Sequence, residues 1–245
     1  MCTLTLYYEQ VTWEDGSKYA GEVKNGVPHG HGAWTSSIGS SYRGGWSNGV
    51  FHGQGTYVWR SGDCYTGAYL NGIAEGKGKL TLGNGDIYEG NFVGGLPHGT
   101  GAWMYYNTNT YQGEFANGQA HGHGIFIAPG NGDARSCYRY EGQYSRDEPH
   151  GQGTIRCGAP FTLQPREIMT PIRWSDGSKF VGAFQRGAQT GSGELTTIKG
   201  DVIKGSWLNG RANGSIILTM AGGDVFEGQF ENGRLPLTCS HFPRL

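Results

Sequence analysis

The chain has 245 residues and a net charge of −1 from 19 basic and 20 acidic side chains, and 46 of its residues are glycine. Charged residues make up 16 per cent, below the ~25 per cent usual for soluble domains, so a disordered polyampholyte and a basic nucleic-acid surface are both disfavoured. The glycine content excludes a helical protein: each glycine in a regular element costs ~0.5 to 1 kcal/mol relative to alanine, so it must serve a recurring steric purpose.

No stretch approaches the ~18 consecutive apolar residues of a membrane span, and Met1–Tyr8 lacks a basic region followed by a long apolar run. The expectation is a soluble, unsecreted protein. Cys2, Cys64, Cys137, Cys157 and Cys239 are odd in number and irregularly spaced, with no Cys-x-x-Cys. They read as free thiols rather than as a disulfide framework or zinc site.

In chain order, Met1–Val11 comes first, with Leu4, Leu6 and Tyr8 alternating as in a strand that covers a sheet edge; residues 1–18 are taken as an N-terminal cap. A Tyr-x-Gly unit then recurs at Tyr19, Tyr42, Tyr65, Tyr88 and Tyr111, at intervals of 23 residues. The phase continues at Tyr140, Phe180, Ile203 and Phe226 after insertions of 6 and 17 residues, which makes nine units. Tyr88, Gly90 and Phe92 share one parity, as do Gly101, Trp103 and Tyr105, which is the period-two signature of strands. Asn25-Gly26, Asn48-Gly49, Asn71-Gly72, Asn117-Gly118, Asn209-Gly210 and Asn232-Gly233 supply hairpin turns. The segment Val93–Gly99, His98-Gly99 included, reads as one turn, and Asp15-Gly16, Asn84-Gly85 and Asp176-Gly177 return the chain to the next unit.

Repeats one to six thus occupy 19–156 and repeats seven to nine 172–233, where Trp174–Gly182 echoes Trp13–Gly21. The stretch 157–171, with Pro160, Pro165 and Pro171, and the tail 234–245, with Pro236 and Pro243, cannot continue a ladder of hydrogen bonds. Both read as docking segments or as a loop and a fraying end. Twenty-three residues hold one hairpin, too few for a propeller blade. The predicted fold is all-β: an elongated, twisted, single-layer antiparallel sheet of stacked hairpins, on the order of 85 Å long for nine units at ~4.8 Å per strand.

Such a sheet has no ordinary core, and its stability must come from side-chain columns on one face. The first column is Tyr19, Tyr42, Tyr65, Tyr88, Tyr111, Tyr140, Phe180, Ile203 and Phe226; the second is Val23, Trp46, Tyr69, Phe92, Phe115, Tyr144, Phe184, Trp207 and Phe230. The third, two residues after the last motif glycine, is Trp34, Tyr57, Leu80, Trp103, Phe126, Ile155, Leu195 and Ile216. Rings of this size lie flat only over residues without a Cβ, so Gly90 is expected opposite Gly101 beneath Tyr88.

The units Tyr88-Glu-Gly-Asn-Phe and Tyr111-Gln-Gly-Glu-Phe-Ala-Asn-Gly-Gln-Ala-His-Gly-His-Gly resemble MORN repeats (membrane occupation and recognition nexus). The likeness runs from Trp13 to Gly233. His-Gly stands at His29, His52, His98, His121 and His150 but gives way to Glu75, Thr190 and Asn213, so the last units are degenerate. The resemblance implies a non-catalytic scaffold, not an enzyme, in a cytoskeletal assembly. The ciliary axoneme and its radial spoke head are the leading setting for a short chain built from these repeats. Two alternatives are a lipid-dependent membrane–cytoskeleton tether and an adaptor for a separate enzyme.

Sharper chemistry finds little support. Successive repeat histidines stand ~9.6 Å apart, too far to share a zinc ion, and turn packing accounts for them better. Gly72–Gly78 is a residue short of a phosphate loop and has no Ser or Thr after Lys77. No cofactor, metal or nucleic acid is expected. Anionic membranes attract clusters of ~4 to 8 basic residues, whereas this chain offers pairs such as Lys77 with Lys79, so protein partners are favoured over lipid, with self-association left open. The candidate partner-binding anchors are Trp46, Tyr69, Phe92, Trp103, Phe115 and Tyr144, aromatic residues in the most regular units.

Overall fold

The computed structural model describes residues 7–129, 138–157 and 177–234, and every element among them is a β-strand. The strands run β1 (Tyr7–Thr12), β2 (Lys18–Lys24), β3 (Val27–Thr35), β4 (Ser41–Ser47), β5 (Val50–Val58), β6 (Cys64–Leu70), β7 (Ile73–Thr81), β8 (Ile87–Val93) and β9 (Leu96–Met104). They continue as β10 (Thr110–Ala116), β11 (Gln119–Ala128), β12 (Tyr138–Ser145), β13 (Glu148–Cys157), β14 (Lys179–Gln185), β15 (Ala188–Thr196), β16 (Val202–Leu208), β17 (Arg211–Thr219) and β18 (Val225–Phe230). Two units are distinguished, the first of residues 1–107 with 114–119, the second of 108–113 with 120–245. The proline-containing insertion and most of the tail lie outside the described residues, as do Leu4, Leu6 and Trp174.

Within the first unit, successive strands from β1 to β9 pair antiparallel in one repeated register. Tyr19 faces Trp34, Tyr42 faces Tyr57, Tyr65 faces Leu80 and Tyr88 faces Trp103. Two residues on, glycine faces glycine: Gly21 and Gly32, Gly44 and Gly55, Gly67 and Gly78, Gly90 and Gly101. The expected tyrosine-over-glycine packing is present. A Cβ at Gly90 would meet the Gly101 Cα at 2.6 Å and the Tyr88 Cζ at 2.7 Å. The covering tyrosines are 0–1 per cent exposed.

The His-Gly pairs lie elsewhere than predicted. Gly21 pairs with Gly32 and Val23 with Pro28, so three residues, His29-Gly30-His31, oppose the single Glu22. His-Gly-x is therefore a β-bulge inside the second strand of each hairpin, not part of the turn, and its glycine takes a positive φ of 68° at Gly30 and 66° at Gly99. The turns are the two residues before that strand, Asn48-Gly49 for example, with φ of 50° and 82°, as a two-residue hairpin of type I′ requires. The bulge also explains why the first column is tyrosine. Opposite it, one strand carbonyl is left without a ladder partner, and the ring's hydroxyl donates to it: Tyr42 to Gly45 O at 2.8 Å, Tyr65 to Ala68 O at 3.0 Å and Tyr88 to Asn91 O at 2.9 Å.

First- and second-column rings interlock edge to face, Tyr42, Tyr65 and Tyr88 each touching its own repeat's ring and the next. Tyr42 lies 5.4 Å from Trp46 and 5.3 Å from Tyr69, and Tyr88 lies 5.1 Å from Phe92 and 4.9 Å from Phe115, with interplanar angles of 78–90°. Such pairs contribute ~0.5 to 1.5 kcal/mol each beyond area burial. A backbone ladder reinforces them: the turn amide of Gly49 donates to Pro28 O at 2.9 Å, Gly72 to Phe51 O at 2.8 Å and Gly95 to Ala74 O at 3.0 Å, each reaching back to the preceding hairpin.

The second unit repeats the pattern with other residues. Tyr140 faces Ile155 and Phe180 faces Leu195, each followed by a glycine pair, Gly142 with Gly153 and Gly182 with Gly193. In the eighth repeat Ile203 faces Leu218, and Gly205 faces Ile216. The third-column residue there is thus Leu218; Ile216, expected in that column, stands where every earlier hairpin has its second glycine. The physical reason is volume. With Ile203 in place of tyrosine no ring covers the glycine pair, and the Ile216 side chain, 1 per cent exposed, fills the space. Among the described residues the ninth repeat contributes one strand, β18, followed by an isolated bridge between Glu231 and Arg234.

Candidate functional site

Of the six rings expected to anchor a partner, the structure buries five. Trp46, Tyr69, Phe92 and Phe115 in the first unit and Tyr144 in the second are 2–8 per cent exposed, held by the edge-to-face contacts of the first column. The Trp46 indole also donates to Gly32 O at 3.2 Å. Trp103 differs: it is half-buried, and its Nε1–H is shielded from solvent with no acceptor among the described residues.

Apart from Tyr7 and Tyr8 on β1, the rings left accessible in the first unit belong to the third column and its flanks. Trp34 and Tyr57 are half-exposed and stack at 6.3 Å with an interplanar angle of 27°. Trp59 packs on Tyr57 at 4.8 Å and remains 39 per cent exposed. Between them lies Phe51, stacked on Tyr42 at 3.8 Å. Equivalent positions in the other repeats hold Pro28, Ala74, Pro97, Ala120, Pro149, Gln189 and Ala212. Phe51 is thus a departure from the repeat, legible in the sequence as the one aromatic residue in that register.

These rings line two adjoining hollows. One, of about 540 Å³, is bounded by Phe51, Tyr57, Trp59, Leu80 and Asp63. The other, of about 1060 Å³, is bounded by Trp13, Trp34, Phe51, Glu14 and Asp15. Phe51 and Gly72 border both, so together they form a trough with an aromatic floor. Its charged lining is acidic. Asp15 accepts from the Ser17 amide at 2.9 Å and the Ser17 hydroxyl at 2.6 Å, and the hydroxyl bond foremost holds its carboxyl below the usual carboxylate range. Asp63 is likewise held down, first by the Gly83 amide at 2.6 Å and then by the Ser61 hydroxyl at 2.7 Å. Among the described residues no three His, Cys, Asp or Glu side chains converge as a metal site would need.

No curated protein matches the chain. Solved structures similar to it include the following two. One is the TCP domain of SAS-4 (dCPAP) of Drosophila melanogaster in complex with a proline-rich motif of Ana2, with 13% identity over 91% of this chain and 90% of that chain and a TM-score of 0.38. The other is the TCP10 domain of Danio rerio CPAP in complex with a STIL peptide, with 10% identity over 98% and 100% and a TM-score of 0.46. The MORN repeat model matches at residues 19–41, 42–64, 65–87, 88–110, 111–132, 140–158 and 180–202, so almost all of the eighth hairpin and the whole of β18 lie beyond the matched segments. Those seven matches cover more than half of the sequence and coincide with the hairpins whose tyrosine or phenylalanine lies over paired glycines: the chain belongs to the MORN-repeat family.

Proposed function

We propose that the chain is a non-catalytic scaffold that holds an extended apolar segment of another protein in the trough of its first unit. The carrying observation is the convergence of rings on the two hollows: Trp34, Phe51, Tyr57 and Trp59 line them, with the largely buried second-column rings Trp46, Tyr69 and Phe92 at their base. Tryptophan and tyrosine in desolvated pockets dominate binding energetics, with losses of ~2 kcal/mol or more on truncation.

The setting we propose is a cytoskeletal assembly, with the axonemal radial spoke head as the leading case, on the strength of the resemblance of these repeats to those of ciliary members of the family. Proximity labelling in ciliated cells tests both parts. Axonemal proteins should be labelled by the wild-type chain and lost with a Trp34→Ala/Trp59→Ala variant that still melts cooperatively. Recovery of vesicle proteins in their place would overturn the setting, and unchanged labelling by the variant would overturn the trough.

A further inference from the structure

Resting on that reading of the trough, we infer that its occupant is a cationic extended segment, with arginine or lysine set among apolar residues. Glu14, Asp15 and Asp63 are the charged side chains that line the two hollows, and no Lys or Arg does so. None of the three makes an ion pair among the described residues. The hydrogen bonds that Asp15 and Asp63 accept come from neutral donors, namely backbone amides and serine hydroxyls, so their negative charge is oriented but not neutralised. Beside them stand Trp13, Trp34 and Trp59, and a guanidinium both stacks on such rings and donates in its plane to a carboxylate. An aromatic floor with carboxylates as its sole charged lining is complementary to that chemistry, and it repels the phosphates of nucleic acid and of anionic lipid.

Panning the full chain against a random peptide library tests this. Enriched peptides should carry Arg or Lys between aliphatic or proline residues. A synthetic copy of the strongest should bind about tenfold more weakly to Glu14→Gln/Asp15→Asn/Asp63→Asn, and more weakly in ~1 M salt, where the Debye length falls to ~3 Å. Glu14→Gln alone, which removes a charge and no hydrogen bond seen here, should shift affinity in the same direction, which keeps the test valid if the triple variant misfolds. Neutral or acidic peptides that bind independently of salt yet are lost with Trp34→Ala would overturn the cationic occupant and leave the trough standing. Failure to enrich any peptide sensitive to Trp34 or Phe51 would overturn both, as would capture of phosphatidylserine vesicles in place of peptides.

Discussion

In the first unit each hairpin lays a tyrosine over two facing glycines, whereas the eighth repeat, in the second unit, sets Ile203 beside Ile216 over a single one. Both arrangements exclude solvent and keep the same strand register. The hairpin therefore requires a filled volume above the paired strands, and this can come from one large ring or from two branched aliphatics. Tyrosine adds a hydrogen bond to the carbonyl opposite the bulge, which Phe180 and Ile203 cannot make. The turns differ too. Three of the four turns between β2 and β9 are Asn-Gly, while the second unit places Arg146, Asp147 and Arg186 at φ of 52°, 67° and 49°, a region that costs a residue with a Cβ ~1 to 2 kcal/mol.

The largest expected effect comes from breaking the ring-over-glycine arrangement. Gly90→Val should cost about 3 kcal/mol, as overpacking against Tyr88 and Gly101, and Asn91→Val next to it under about 1 kcal/mol; thermal melting compares the two, and equal shifts would refute the packing. Next is the aliphatic substitute. Ile216→Gly should cost about 3 kcal/mol through the cavity it opens, and combining it with Ile203→Tyr should recover a sizeable part, giving a coupling of about 1–2 kcal/mol in a double-mutant cycle. Simple additivity would mean that the two isoleucines do not replace the ring.

Smaller is the hydroxyl. Tyr88→Phe should cost about 1 kcal/mol at neutral pH, the worth of one hydrogen bond. Burial pushes Tyr19, Tyr42, Tyr65, Tyr88 and Tyr140 up to about 12 from an ordinary 10. The unfolded chain thus releases these protons first, so their contribution is complete below pH ~10 and is lost as pH rises towards 12. Denaturant midpoints measured across that window should fall, less so in the Phe variant; a flat profile would contradict the buried phenols. Smallest is Arg186→Asn, expected to stabilise by about 0.5 kcal/mol because asparagine tolerates the left-handed region better.

The columns were legible because a 23-residue beat survives two insertions, and alternation within each unit separates ring positions from polar ones. The bulge was not. A glycine with positive φ serves turns and bulges alike, and only the pairing of Val23 with Pro28 shows which one His-Gly occupies. Trp46 and Tyr69, expected as anchors from their residue type, do border the hollows, but how little of each ring is accessible is decided by which neighbouring ring lies across it, and that depends on register between repeats. Phe51, by contrast, could have been found by asking which residue breaks its own column. Ile216 was misassigned for a related reason: counting from the last glycine fails where that glycine has been replaced.

The turn-amide ladder has a bearing on protein engineering. Each hairpin is indexed to its predecessor through a carbonyl two residues past the turn, and the short return connections add a second index, the Asp63 carboxylate accepting from the Gly83 amide and Asp86 from the Tyr106 amide. Gly124 meets Gly142 and Gly153 meets Gly182 across sequence gaps far longer than that between Gly32 and Gly44, yet glycine meets glycine in all three. The two longer connections, from Ala128 to Tyr138 and from Arg156 to Lys179, are therefore natural ports for grafted epitopes or fluorophores, because the register on either side already accommodates added length.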